Sequence, residues 1–267
     1  MLIKQLIVLA VKKIFNSLGY DVTFTQKFEE KGSQDYALVD KYMWEPYFST
    51  NHMMQLYFEG LIQARIEWSD NFYKQLRFYS LQELVHYVIR RKLKGDFVEC
   101  GAWKGQSAFM MSSILSENEF TGEFHIFDSF EGGLSEKVDK DKNLRGELTE
   151  KQIQEESNLY RSSQTEVMSC LKDFQFIRLY KGWIPDRFDE VGNRQFSFVH
   201  IDVDLYEPTL DSLNFFYPRL VSDGVIVCDD YGVTQFPGAK RAVDEFLKNN
   251  TYKMFYEVPM GSCFIIK

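Results

Sequence analysis

From Gly95 onward, short apolar runs alternate with stretches whose apolar positions recur at helical spacing. The runs Phe97–Cys100, Phe124–Phe127, Phe176–Leu179, Phe196–Ile201 and Val225–Cys228 read as strands, because a strand buried on both faces is apolar throughout. Between them the pattern predicts helices near Ser107–Leu115 and Gln164–Leu171, from about Pro208, and where Ala239, Ala242, Val243, Phe246 and Leu247 align. Proline suits a first helical turn, and Leu210, Leu213, Tyr217 and Leu220 make the inner face of the helix that Pro208 opens. Upstream, Leu81, Leu84, Val85, Val88 and Ile89 share one face and predict a helix over Ser80–Leu93. The last two runs, Met254–Val258 and Cys263–Ile266, are joined by Pro259-Met260-Gly261, a link short enough for a hairpin and too short for a crossover helix. Alternating strand and helix closed by a hairpin predicts an α/β fold, a seven-stranded, mostly parallel sheet with one antiparallel strand.

Residues 1–78 lack this rhythm and are expected to form an N-terminal extension to a domain spanning 79–267. Met1–Tyr20 is mildly apolar, but Lys4, Lys12 and Lys13 interrupt it, which argues for an amphipathic helix and against a bilayer span. Tyr42, Trp44, Tyr47 and Phe48 form an aromatic cluster expected to pack on the main domain. A net charge of −8 argues against an extended phosphate-binding surface, so nucleic acid is not an expected partner. Cys100, Cys170, Cys228 and Cys263 form no CxxC pair, which reads as reduced thiols of a cytoplasmic protein. The run Ser135–Glu156 is so rich in charge that it has little to bury, and its place after a strand makes it a candidate lid.

Right-handed crossovers bring the carboxyl ends of parallel strands to one edge, where open α/β sheets bind ligands. Three strands end there in acids: Asp128, then Asp202-Val203-Asp204, then Asp229-Asp230. The segment Glu99-Cys100-Gly101-Ala102-Trp103-Lys104-Gly105-Gln106-Ser107 follows the first strand and opens a helix. Glycines admit a ligand close to the backbone, a helix N-terminus favours an anionic group, and Glu99 offers an acceptor to an ammonium. That pairing suits an amino acid; tight strand–helix packing is the alternative. Asp128 stands where an acid meets ribose hydroxyls, or else caps the turn through Ser129 and Gly132. Together the two motifs suggest a nucleoside joined to an amino acid, which describes S-adenosyl-L-methionine. Asp202, Asp229 and Asp230 repel one another unless a cation intervenes, and an all-oxygen set favours Mg²⁺, Mn²⁺ or Ca²⁺ over zinc; the alternative is helix capping. Asp204, on the same side of an extended chain as Asp202, is the candidate general base, or a cap for the following helix. His200 reads as a support for the strand end. Trp183, after Lys181-Gly182, is placed either against an adenine or in the core.

These motifs, in this order, resemble the macrocin O-methyltransferase (TylF-type) family of S-adenosylmethionine-dependent sugar methyltransferases. The matching segments are Gly95–Gly105, Phe127–Gly132, Lys181–Asp186, His200–Pro208, Asp229–Gly232 and Pro237–Asp244, and the likeness runs from about Leu81 to the C-terminus. The resemblance implies a Rossmann-like class I methyltransferase fold and Mg²⁺-dependent methyl transfer to a hydroxyl of a small-molecule sugar or glycoside. It also implies cofactor contacts from Glu99, Cys100, Gly101, Ala102 and Trp103 and from Asp128, Ser129, Phe130, Glu131 and Gly132, to which Gly105, Ser107, Gly182 and Trp183 are added. By the same likeness Asp202, Asp229 and Asp230 are the Mg²⁺ ligands, Asp204 is the base, and the N-terminal region serves acceptor contacts and packing of a homo-oligomer, a dimer. Ala102, Gln106 and the run Gly182-Trp183-Ile184-Pro185-Asp186-Arg187 depart from the family pattern and leave pocket details open. Two rivals stand beside this reading. One is methylation of a phenol, although catechol enzymes of this fold carry a lysine shortly after the first metal aspartate and Leu205 follows Asp204 here. The other is a non-catalytic binder of S-adenosylmethionine, which would have no reason to keep mutually repelling carboxylates.

Overall fold

A computed structural model describes residues 52–67, 70–142, 155, 158–258 and 261–267, all within the unit Asp35–Lys267. The expected N-terminal helix and the cluster around Trp44 lie outside these residues, as does most of the charged run, 143–154 and 156.

The apolar runs become strands close to their expected bounds: β1 Asp96–Cys100, β2 Phe124–Asp128, β3 Ile177–Lys181, β4 Phe196–Ile201, β5 Leu220–Cys228, β6 Met254–Glu257 and β7 Cys263–Ile266. They form one 7-stranded sheet in the order β3-β2-β1-β4-β5-β7-β6. β1 to β5 pair in parallel, while β7 runs antiparallel to both β5 and β6 and is the single reversed strand expected. β5 begins earlier than the run Val225–Cys228, because Leu220 already pairs with Phe196 and a bulge then restores the register.

Helices α1 His52–Gln63, α2 Phe72–Arg90, α3 Gln106–Glu117 and α4 Gln164–Cys170 contribute to the core on one face of the sheet, around Phe97, Ile126 and Phe198. Helices α5 Tyr206–Arg219 and α6 Pro237–Asn249 cover the other face, around Val98, Val199 and Ile226. Both faces of the inner strands β1, β2 and β4 are dry, whereas β3, at the sheet edge, exposes Arg178 and Lys181.

α2 starts well before the expected Ser80 and runs through the 78/79 boundary. Asn71 caps it, its side chain accepting from the Lys74 N–H at 2.9 Å. The first two turns escape a hydrophobic-period search because polar Lys74 and Gln75 occupy buried positions. α5 starts at Tyr206, so Pro208 falls inside its first turn, where a missing N–H costs nothing.

Candidate functional site

Register places the acidic strand ends side by side. Asp202 N–H donates to Cys100 O at 2.8 Å, and Asp229 N–H to Ile201 O at 2.9 Å, so β1, β4 and β5 end level with one another. Gly101 leaves β1 with φ +82°, and a Cβ there would overlap the carbonyl oxygen of Asp202. Only glycine lets these two strand ends meet.

The chain between β4 and α5 corrects one expectation. Asp202-Val203-Asp204 is not extended: Asp204 sits in the left-handed region at φ 61°, and Leu205 N–H turns back to Val203 O at 2.6 Å. Aspartate tolerates that region better than most residues. The Asp204 N–H donates to Asp230 Oδ2 at 3.1 Å, which ties the turn to the neighbouring strand end.

Asp202, Asp229 and Asp230 each offer an oxygen within 4.8 Å of the others'. Their electrostatics differ sharply. Burial, with repulsion from Asp229, pushes the Asp202 carboxyl up to about 6. Burial and the carboxylates of Asp204, Asp202 and Asp229 hold Asp230 well above the carboxylate range. Asp229 lies below it: burial opposes its charge, but the Arg77 guanidinium stands 2.6 Å away and His200 adds to the pull. His200 is itself buried, which disfavours its charge, yet Asp229 and Glu99 raise it to about 10. Its Nδ1 meets Glu99 Oε1 at 2.9 Å, while Nε2 lies 4.0 Å from Asp229 Oδ1 and has no hydrogen-bond partner among the described residues. His200 is the expected strand-end support. Arg77, His200 and Lys74 supply three positive charges against the five carboxyl groups of Glu99, Asp202, Asp204, Asp229 and Asp230, and an all-oxygen set in which Asp202 and Asp230 are raised fits a hard divalent cation.

Two clefts meet at this cluster. One is lined by Asp128, Ser129, Gly182, Trp183, Ile184 and Pro208, the other by Lys74, Arg77, Phe78, Ser107, Asp229 and Asp230. Gly101, Trp103, Tyr160, Asp202 and Asp204 line both. In the first cleft, Asp128 already organises the glycine loop: Oδ2 accepts from Ala102 N–H at 2.9 Å and Trp103 N–H at 3.1 Å, and Oδ1 from Phe130 N–H at 2.8 Å. Oδ1 keeps acceptor capacity toward the cleft. Trp183 is 39% exposed, so it presents its ring to the cleft and is not a core residue.

Several sequence candidates stand behind this lining. Glu99 is fully buried against His200, and its Oε2 has no partner among the described residues. Cys100 and Phe130 point into the two cores, on opposite faces of the sheet. Glu131 pairs with Lys181 at 3.2 Å, Gly132 packs on Arg161, and Gly105 sets the start of α3 at φ +88°. Ala102 and Ser107 line the second cleft only.

Sequence reasoning missed Lys74, Arg77, Tyr160 and Phe236. Lys74 and Arg77 stand at i and i+3 on one face of α2; reading Asn71 as a helix cap would have exposed the pair. Burial and the neighbouring Arg77 lower Lys74 to about 8. No lysine stands shortly after Asp204, but Lys74 lines the same cleft, so the lack of a lysine at that point of the chain does not by itself disfavour a phenolic acceptor.

The family model for macrocin O-methyltransferase (TylF) matches residues 71–257. Similar proteins include the demethyldecarbamoylnovobiocin O-methyltransferase of Streptomyces niveus, 26% identical over 204 residues, covering 73% of this chain and 76% of that protein. The 8-demethyl-8-(2,3-dimethoxy-alpha-L-rhamnosyl)-tetracenomycin-C 4'-O-methyltransferase of Streptomyces olivaceus is 31% identical over 166 residues, 59% of this chain and 60% of that one. The mycinamicin III 3''-O-methyltransferase of Micromonospora griseorubida is 29% identical over 175 residues, covering 64% and 67%. Among solved structures, the O-methyltransferase NovP superposes with a TM-score of 0.60 at 23% identity, covering 78% of this chain and 88% of that chain, and shows the shared fold.

Proposed function

This chain belongs to the macrocin O-methyltransferase family, and from that premise we propose that it transfers a methyl group from S-adenosyl-L-methionine to a hydroxyl of a sugar or glycoside with the help of Mg²⁺. The observation that carries the reading is the junction of two clefts at Asp202 and Asp204, beside Asp229 and Asp230. The relatives named for rhamnosyl-tetracenomycin and mycinamicin substrates support a glycoside acceptor.

The first cleft would hold the donor. Gly101, Trp103, Asp128, Ser129, Gly182 and Trp183 line it; Glu99, Cys100, Gly105, Phe130, Glu131 and Gly132 would support it from the adjoining strand end, helix start and loop, and Ala102 and Ser107 line the second cleft. Asp202, Asp229 and Asp230 would hold Mg²⁺. When bound, S-adenosylmethionine supplies an electrophilic methyl and Mg²⁺ supplies positive charge that acidifies a neighbouring hydroxyl. Asp204 lines both clefts and accepts the hydroxyl proton. Arg77 holds Asp229 ionised, and His200 fixes the strand end between Glu99 and Asp229. Trp103 and Tyr160 flank the junction and exclude water from it. Residues 1–78 serve acceptor contacts and packing of a cytoplasmic homodimer. Among the described residues no helix is long and apolar enough to cross a membrane.

The test is transfer of labelled methyl to nucleotide sugars and glycosides, with Mg²⁺ and after treatment with EDTA. Turnover that requires Mg²⁺ and disappears in Asp204→Asn with donor affinity retained is the expected result. Turnover indifferent to EDTA overturns the metal assignment.

A further inference from the structure

The charged run that follows β2 holds a contact that the lid expectation did not anticipate. Residues 138–142 form a short 3-10 turn, Asp139–Asp141, and Asp141 is buried. Its Oδ2 accepts from Val138 N–H at 2.9 Å, closing its own turn. Its Oδ1 reaches across the fold and accepts from the Tyr206 N–H at 2.8 Å. Tyr206 is the first residue of α5, and α5 has no side-chain cap of its own, because Leu205 occupies the cap position. The first N–H groups of a helix need partners, and a carboxylate there also complements the helix dipole. Asp141 therefore caps α5 from a distant part of the chain.

Two residues before that capped N–H stands Asp204, in the left-handed region. A non-glycine residue stays there only when its surroundings hold it on both sides. Upstream, Asp230 accepts the Asp204 N–H at 3.1 Å. Downstream, Asp141 fixes where α5 begins. α6 in turn clamps Asp141's turn. Arg241 donates to the carbonyl of Lys140, and Lys140 pairs with Glu245 at 2.8 Å. Glu245 also accepts from Tyr206 OH at 2.7 Å. Gly238, in the first turn of α6, leaves room for the carboxylate: a Cβ there would overlap Asp141 Oδ1 and come within 2.8 Å of Tyr206 N.

We infer that Asp141 is a positioning residue for Asp204: by capping α5 in trans it holds the 203–205 turn in the conformation that aims Asp204 into the junction of the two clefts. The proximal part of the charged run is then a fixed clamp. The inference rests on the proposed role of Asp204.

The experiment compares Asp141→Ala, Asp141→Asn and Gly238→Ala in the full-length chain. The readouts are turnover, affinity for S-adenosylhomocysteine, and amide hydrogen exchange of the peptide spanning 203–210. Asp141→Ala is expected to speed exchange in that peptide and to lower kcat by about tenfold or more, since small misplacements of a reacting group are costly. Donor affinity should stay within about twofold, because Asp141 lines neither cleft. Asp141→Asn keeps an oxygen for the Tyr206 N–H and should restore kcat to within about threefold. Gly238→Ala displaces the carboxylate without removing it and should reproduce the alanine variant, which covers the case that Asp141→Ala fails to fold. Exchange in 203–210 unchanged in the alanine variants, or kcat unchanged despite a lower melting temperature, overturns the role of Asp141. Wild-type turnover in Asp204→Asn overturns the base assignment instead, and the exchange measurement then tests the cap separately.

Discussion

Opposite edges of the sheet each carry a knot of acids, and the two knots are built to different ends. At the carboxyl edge are Asp202, Asp229 and Asp230; at the amino edge are Asp96, Glu123 and His125, with ligand-type atoms just as closely grouped. The amino-edge knot is compensated by guanidinium charge. Asp96 Oδ2 accepts from Arg194 at 2.8 Å and faces His125 Nε2 at 3.2 Å, and its Oδ1 accepts from Glu123 N–H at 2.8 Å. Glu123 pairs with Arg178 at 2.7 Å and Arg194 at 2.5 Å. Burial works against the Asp96 charge, but these donors win and hold it at about 2. At the carboxyl edge the guanidinium of Arg77 pairs with Asp229, while Asp202 and Asp230 are left with raised pKa values. Close acids alone do not mark a cation site. Acids that the protein leaves short of positive charge have the electrostatics that a bound cation would relieve.

The strongest way to break this contrast is to neutralise one acid at each edge. Asp230→Asn should lower turnover by about 10²–10³-fold, since it removes charge at the reacting centre. In the cation-free protein the same change relieves repulsion and should raise the melting temperature by about 2–4 °C, as expected for roughly 1 kcal/mol in a chain of this size. A fall in both would mean that Asp230 is structural. Asp96→Ala should do the reverse. Breaking charged hydrogen bonds at a mostly buried site should cost about 2–4 kcal/mol in urea unfolding with kcat per folded molecule unchanged.

A subtler separation uses pH. Asp202 stands at about 6 when folded, against 3.8 when free, and Asp230 is raised further in the same direction. The folded, cation-free protein therefore binds protons that the unfolded chain has released, and its stability falls as pH rises from about 4 through 6. A divalent cation displaces those protons, so the gain in melting temperature on adding Mg²⁺ should be larger at about pH 7.5 than at about pH 5.5. Asp96 has the opposite sign. Its folded value of about 2 lies below 3.8, so its contribution is complete above the free value and is lost as pH falls toward 2. An equal Mg²⁺ effect at both pH values would contradict the assignment. Least of all should Arg178→Ala matter. Its guanidinium is half exposed, and the change is expected to cost under about 1 kcal/mol with no effect on turnover.

How far the sequence reaches can be judged residue by residue. β4 was legible to its ends, because a strand buried on both faces is a local pattern. Asp202, Asp229 and Asp230 were legible because acids directly after such strands must gather where the strands end. The hairpin of β6 and β7 followed from the length of its link. Arg77 and Lys74 were hidden because α2 turns polar residues inward toward the cluster, which defeats a search for apolar periodicity. The bent course of Asp202–Asp204 was hidden too, since no residue type there demands a left-handed turn.

By itself, then, the chain's pattern specified the alternation of elements, the parallel sheet and the acids at its carboxyl edge, all consequences of short-range periodicity and connection length. Which acids would be compensated was decided only on folding. Asp128 is partly engaged by the backbone of the loop it faces, Asp96 by Arg194 from a distant segment, and Asp141 by a helix start 65 positions away. Charge balance at a site depends on every element that packs against it, and that sum exists only once the chain has closed upon itself.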